Sequence, residues 1–211
     1  MIIKTFPSGP FATNAYVLAC KKTRHACIID PAPESAVDLE RFIQDENLIV
    51  KDIYLTHSHW DHTGDLAKIK KIFDVPVSVH ELDAGNVEKP GSDGLPLMMP
   101  IEAVAVDSFL HEGDELFLGD LKFKVVHTPG HTPGGVCFYF SGKSVLISGD
   151  TLFKQSIGNL SFPTANAEKM WESLSKLEKL PSETRVFPGH GEDTRIGDET
   201  WLSKAREIFG T

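Results

Sequence analysis

The chain has 211 residues, 41% hydrophobic and 24% charged, which suits one soluble globular domain with a substantial core. Its formal charge of -9 and pI of about 5.4 repel phosphate backbones, so a nucleic-acid partner is not expected. No run reaches the roughly 18 apolar residues of a membrane span, and the N-terminus lacks the apolar stretch of a signal peptide. Three cysteines (Cys20, Cys27, Cys137) without a CxxC pair read as reduced thiols of a cytoplasmic protein, with a Cys20–Cys27 bridge as the less favoured alternative.

Residues 1–30 alternate in three short segments (Ile2–Phe6, Asn14–Ala19, His25–Ile29) broken by Pro7-Ser8-Gly9-Pro10 and Lys21-Lys22, the pattern of a β-meander. Ala36–Glu46 carries apolar residues at helical spacing. Asp52–Thr56 reads as a buried strand entering a histidine cluster. Thr63–Phe73 predicts a helix with Leu66, Ile69, Ile72 and Phe73 on one face. Val75–Val79 reads as a strand, and the proline-rich stretch Asn86–Pro100 as a loop of the kind that covers active sites. Two hairpins follow, Glu115–Leu118 with Leu121–His127 and Val136–Phe140 with Ser144–Ile147. Ala165–Leu180 is amphipathic and helical, Arg185–Phe187 is a last strand, and a helix closes the chain. Many strands with helices in two separate halves predict a layered sandwich, sheets inside and helices outside.

The densest chemistry lies in Thr56-His57-Ser58-His59-Trp60-Asp61-His62. In extended backbone His57 and His59 project to one side, so two imidazoles can grip one metal ion. Asp61 and His62 follow a turn of the chain and can address a second position. A solvated polar loop is the plainer reading, but three histidines and an aspartate in six residues outweigh it. Three more polar positions each follow a strand and are framed by glycine: His131 in Thr128-Pro129-Gly130-His131-Thr132-Pro133-Gly134-Gly135, Asp150 in Ser148-Gly149-Asp150-Thr151, and His190 in Pro188-Gly189-His190-Gly191. Together, in this order, they form a strong signal.

With these motifs the chain resembles the metallo-β-lactamase superfamily from the N-terminal meander to Gly191. The resemblance implies an αββα sandwich over residues 1–211 as one domain. It also implies two divalent metal ions, zinc first with iron or manganese as alternatives. Carried over position by position, it places His57, His59 and His131 on one ion, Asp61, His62 and His190 on the other, and Asp150 between both. The remaining histidines take plainer roles: His127 a hydrogen bond beside the site, His80 a structural place, His25 and His111 none. Trp60 is expected to pack on the ligand loop, and Lys143 and Asp120 to be solvated in turns.

Ser148–Phe153 followed by Ser156-Ile157-Gly158 resembles the glyoxalase II-like (hydroxyacylglutathione hydrolase) branch, in a short form without the C-terminal helical domain. This implies that a hydroxide shared by the two ions attacks a small thioester of the S-lactoylglutathione type, with Asp61 and Asp150 as the catalytic carboxylates. The branch carries a basic residue where Asn159 stands and an acidic one at Ser161, so these two are the candidate substrate contacts and the point of departure. A mononuclear-iron persulfide dioxygenase is the alternative, as is lactone or β-lactam hydrolysis on the same fold. A small acylthiol is the expected partner; oligomeric state is open.

Overall fold

In the computed structural model, which describes residues 1–210, two six-stranded sheets lie face to face between helices. The first sheet runs β1 (Ile2–Ser8), β2 (Thr13–Ala19), β3 (His25–Ile29), β4 (Ile49–Tyr54), β5 (Val77–His80), β6 (Ser108–Leu110) in chain order. Its first three strands are antiparallel and its last four parallel. The crossovers carry α1 (Ala36–Asp45), then α2 (Trp60–Thr63) with α3 (Leu66–Phe73), then α4 (Glu81–Glu88). The second sheet runs in reverse, β12 (Thr194–Arg195), β11 (Arg185–Pro188), β10 (Val145–Gly149), β9 (Val136–Phe140), β8 (Leu121–His127), β7 (Glu115–Leu118). Helices α5 (Ala167–Leu177) and α6 (Ala205–Phe209) complete it.

Alternation along the strands sorts the core into three apolar sheets of side chains. In β2, Ala15, Val17 and Ala19 face α1 and α3, whereas Tyr16 and Leu18 face the second sheet. In β9 and β10, Phe138 and Ile147 face inward while Cys137 and Leu146 meet Met170 and Leu174 of α5. The central layer is aromatic: Phe123 stacks on Phe140 at 4.5 Å between ring centroids, and Tyr54 meets Phe123 edge-on and Phe138 at a tilt. This is the expected αββα sandwich. All three cysteines are free and buried, so no Cys20–Cys27 bridge forms. Among the described residues no helix is long and apolar enough to cross a membrane.

Several boundaries differ from the sequence reading. The helix expected over Thr63–Phe73 is two, broken at Gly64-Asp65. A Cβ on Gly64 would overlap the Pro33 ring, and the Asp65 carboxylate turns away to accept the Ala36 amide at 2.9 Å and start α1. The loop expected from Asn86 begins only after Glu88. Helix α4 is set by His80, whose ring accepts the Leu82 amide at 3.2 Å, and by Glu81 and Asp83 in its first turn. Strands β6 and β12 were not anticipated, being three and two residues long.

Replacing Phe123, 2% exposed, with alanine leaves a void between the sheets and is expected to cost roughly 3–5 kcal/mol in urea unfolding. A loss below about 1 kcal/mol would show that the two sheets repack.

Candidate metal centre

The cluster is assembled at one edge of the sandwich, beyond the carboxyl ends of β3, β4, β10 and β11, where open α/β sheets gather ligands. Backbone bonds between the sheets hold that edge. Val136 N–H at the start of β9 donates to the Thr56 carbonyl at 2.8 Å, and Asn14 N–H of β2 donates to the Gly189 carbonyl at 2.7 Å. The Asn14 side chain adds bonds to the carbonyls of Pro188 and Gly191, and the Tyr16 hydroxyl donates to Pro188 at 2.6 Å.

The structure brings all seven candidate residues together. The ring nitrogens offered by His57, His59 and His131 lie within 4.8 Å of one another, as do the donor atoms of Asp61, His62 and His190. Asp150 spans the two groups: Oδ2 lies 3.4 Å from His131 Nε2 and 3.5 Å from His190 Nε2, and Oδ1 lies 3.3 Å from His62 Nε2. Asp61 Oδ2 is 3.3 Å from His190 Nε2 and 3.6 Å from His62 Nε2.

Four of the rings are aimed by bonds at their other nitrogen. His62 Nδ1 meets Asp30 Oδ2 at 3.0 Å, His131 Nδ1 the Asn159 carbonyl at 2.9 Å, and His190 Nδ1 the Phe11 carbonyl at 3.1 Å. His57 Nδ1 meets Thr56 Oγ1 at 3.0 Å, and that hydroxyl donates to Asp30 at 2.6 Å. With Nδ1 held by these partners, each Nε2 is turned towards the cluster. The Nε2 atoms of His57, His59, His62 and His131 and Asp150 Oδ1 are buried with no hydrogen-bond partner. An orphaned buried polar atom costs about 1–3 kcal/mol, so five gathered at this edge fit the binding of cations. Glycine leaves the room: a Cβ at Gly158 would overlap the Asp150 carbonyl, and one at Gly189 the Asp150 carboxylate.

The electrostatics divide the cluster in two. Burial pushes His57 well below its usual range and His59 down to about 3, so both are neutral imidazoles, the form that binds metal. At His62 and His190 burial opposes charge, but the carboxylates of Asp61 and Asp150 outweigh it. His62 is held well above its usual range and His190 is raised to about 9. Burial would raise Asp61 and Asp150 too, yet His62 and His190 hold Asp61 at about 2 and Asp150 lower than usual. That half of the cluster stabilises positive charge.

Asp30 and Asp83 were missed by the sequence reading. Asp30, 1% exposed, also accepts the Thr56 amide at 2.7 Å. It ends an apolar strand as His131, Asp150 and His190 follow theirs, and that signal was available. Asp83, 2% exposed on α4, accepts the amides of Ser58 at 2.9 Å and Gly134 at 2.6 Å, tying the His57–His59 loop to that of His131. No local pattern marks it. His127 stands outside the cluster, stacked on His80 at 4.1 Å with Nε2 2.9 Å from the Pro133 carbonyl. Asn159 lines the cavity, but its side chain accepts the Ser161 amide at 2.8 Å; Ser161 lies off the cavity wall because this turn faces it outward. Trp60 packs on Phe11 at 5.3 Å and, beyond expectation, also forms cavity wall.

Residues 8–190 match the model of the metallo-beta-lactamase superfamily. The chain belongs to that superfamily. A hydroxyacylglutathione hydrolase of Haemophilus influenzae, GloC, is 34% identical over 94% of this chain and 95% of its own. Among solved structures, the B3 metallo-beta-lactamase BLEG-1 superposes with a TM-score of 0.87 at 36% identity, covering 94% of this chain and 96% of its own. TTHA1623 in a di-iron-bound form superposes at 0.80 with 37% identity, over the same shares. The family's fold and a histidine–aspartate site of metal-binding type are both present in this chain.

Asp30→Asn keeps the shape but removes the charge that orients His62 and, through Thr56, His57. Metal affinity measured by chelator competition is expected to fall about 10–100-fold, and an unchanged affinity would remove Asp30 from the site's support.

Proposed function

We propose that the protein hydrolyses small thioesters with two divalent cations held by this cluster. His57, His59 and His131 would hold one, Asp61, His62 and His190 the other, and Asp150 both. The observation that carries the reading is the gathering of unpartnered Nε2 atoms around the Asp150 carboxylate, with His59, His131 and Asp150 opening onto one cavity. The likeness to a hydroxyacylglutathione hydrolase supports a thioester over other acyl compounds. Zinc suits the donor set, and the di-iron-bound neighbour supports iron as the competing occupant.

Bound there, two cations supply Lewis acidity and bring a water's pKa towards neutrality. The chain supplies position. Asp61 Oδ2 accepts the Thr13 hydroxyl at 2.8 Å, which fixes the carboxylate that would take a proton from the attacking water. The balance is one water consumed: a C–O bond forms, the C–S bond breaks, and one proton of the water ends on the thiol. A thiol of ordinary pKa about 8.5 leaves with little help from an acid. The partner is thus a small acylthiol.

The test is metal content with turnover of S-lactoylglutathione and simpler thioesters. Two ions per chain and loss of thioester absorbance are expected; two ions with no turnover would overturn the reaction. One iron per chain with oxygen uptake on glutathione persulfide would replace it with an oxygenase. Asp150→Ala is expected to empty both positions and His190→Ala mainly the second; equal losses in each would contradict the assignment. At Asn159, a neutral residue on the cavity wall, arginine is expected to lower the Michaelis constant for glutathione thioesters. An unchanged constant would place the substrate's carboxylates elsewhere.

A further inference from the structure

The cavity over the cluster holds about 330 Å³, at the small end of the roughly 300–1,000 Å³ usual for small-molecule sites. Its walls have two compositions. One side is the cluster itself with Asn159; the rest is Phe11, Trp60, Leu95, Phe153, Ile157 and Phe162. Among the described residues no lysine or arginine lines it. Lys154, next to Phe153 in the chain, instead meets Glu192 at 2.7 Å on the surface.

The apolar wall is built from four separate segments and is locked to the metal centre. Phe162 packs edge-on against His59 at 5.4 Å and Phe153 edge-on against His190 at 5.9 Å. Phe11 is 50% exposed at the mouth while its carbonyl holds His190. A half-exposed phenylalanine continuous with five other apolar side chains is surface that a ligand would cover at a gain. A ligand carboxylate placed against the same wall would lose water and gain no counter-charge.

We infer that the pocket selects thioesters of short apolar acyl chains on an uncharged thiol, with the acyl chain against Phe11, Trp60 and Phe162. This rests on the thioesterase reading and names its substrate class. Phe11, Leu95 and Ile157 set chain length, and the side-chain amide of Asn159, beside the cluster, can donate to the neutral end of the substrate.

The experiment compares acetyl, butyryl and hexanoyl thioesters of N-acetylcysteamine and of glutathione on the metal-loaded protein. The expected result is a kcat/KM that rises by up to about fourfold per methylene, with the uncharged thiol at least equal to glutathione at every length. In Phe11→Ala the rise flattens, and in Lys154→Ala the glutathione series is unchanged. A flat response to chain length, or a preference of about tenfold or more for glutathione, overturns the inference while leaving hydrolysis standing. If no thioester is cleaved, the hydrolytic reading fails alone, and calorimetry with uncleavable S-alkyl-N-acetylcysteamines decides the pocket. S-hexyl binding about tenfold tighter than S-methyl supports it; equal affinities overturn it.

Discussion

One carboxylate, Asp30, is the constraint on which the site depends. It is buried at the end of β3, where it takes the amide and the hydroxyl of Thr56 and the Nδ1 proton of His62. These bonds join the ends of β3 and β4 to α2 and fix two rings of the cluster, His57 and His62. A buried charge is tolerable only when so fully satisfied. Because its bonds reach His62 directly and His57 through the Thr56 hydroxyl, the orientations of both rings are set before any cation arrives. Preorganisation of this kind places the cost of the site in folding rather than in binding.

A second constraint is the clamp between sheets. Asn14 and Tyr16 of the first sheet hold Pro188, Gly189 and Gly191 of the second, and Val136 holds Thr56. Each half-site draws from both sheets: His131 comes from the second to meet His57 and His59, and His190 comes from it to meet Asp61 and His62. Asp83 adds a third tie through Ser58 and Gly134. The aromatic layer between the sheets therefore bears on the chemistry, since its packing sets the distance across which these groups meet.

The sequence made most of the frame legible, for physical reasons that differ by element. His57, His59, Asp61 and His62 stand out by their density in one short run, and His131, Asp150 and His190 because polar groups framed by glycine follow strand ends; the glycines at 158 and 189 are required by contacts no side chain would allow. The strands of the central layers show because burial on both faces leaves an apolar run, as in β2. Helix α4 was invisible because its start depends on His80 capping from a strand end and its faces show no apolar stripe. Asp83 was missed because its partners lie 25 to 51 residues away in the chain; Asp30 carries the strand-end signal, but its partners, 26 and 32 residues away, do not show in sequence. That the Asn159 backbone carbonyl holds His131 was also missed, since a backbone bond leaves no mark on residue type.

The chemistry of this cluster depends on where cations sit. Anomalous diffraction from metal-loaded crystals tests this most directly. Two peaks are expected, one about 2.0–2.2 Å from the Nε2 atoms of His57, His59 and His131, the other at the same range from Asp61, His62 and His190. Asp150 reaches both. A single peak, or a peak on the Nδ1 side between Asp30, His57 and His62, would contradict the account.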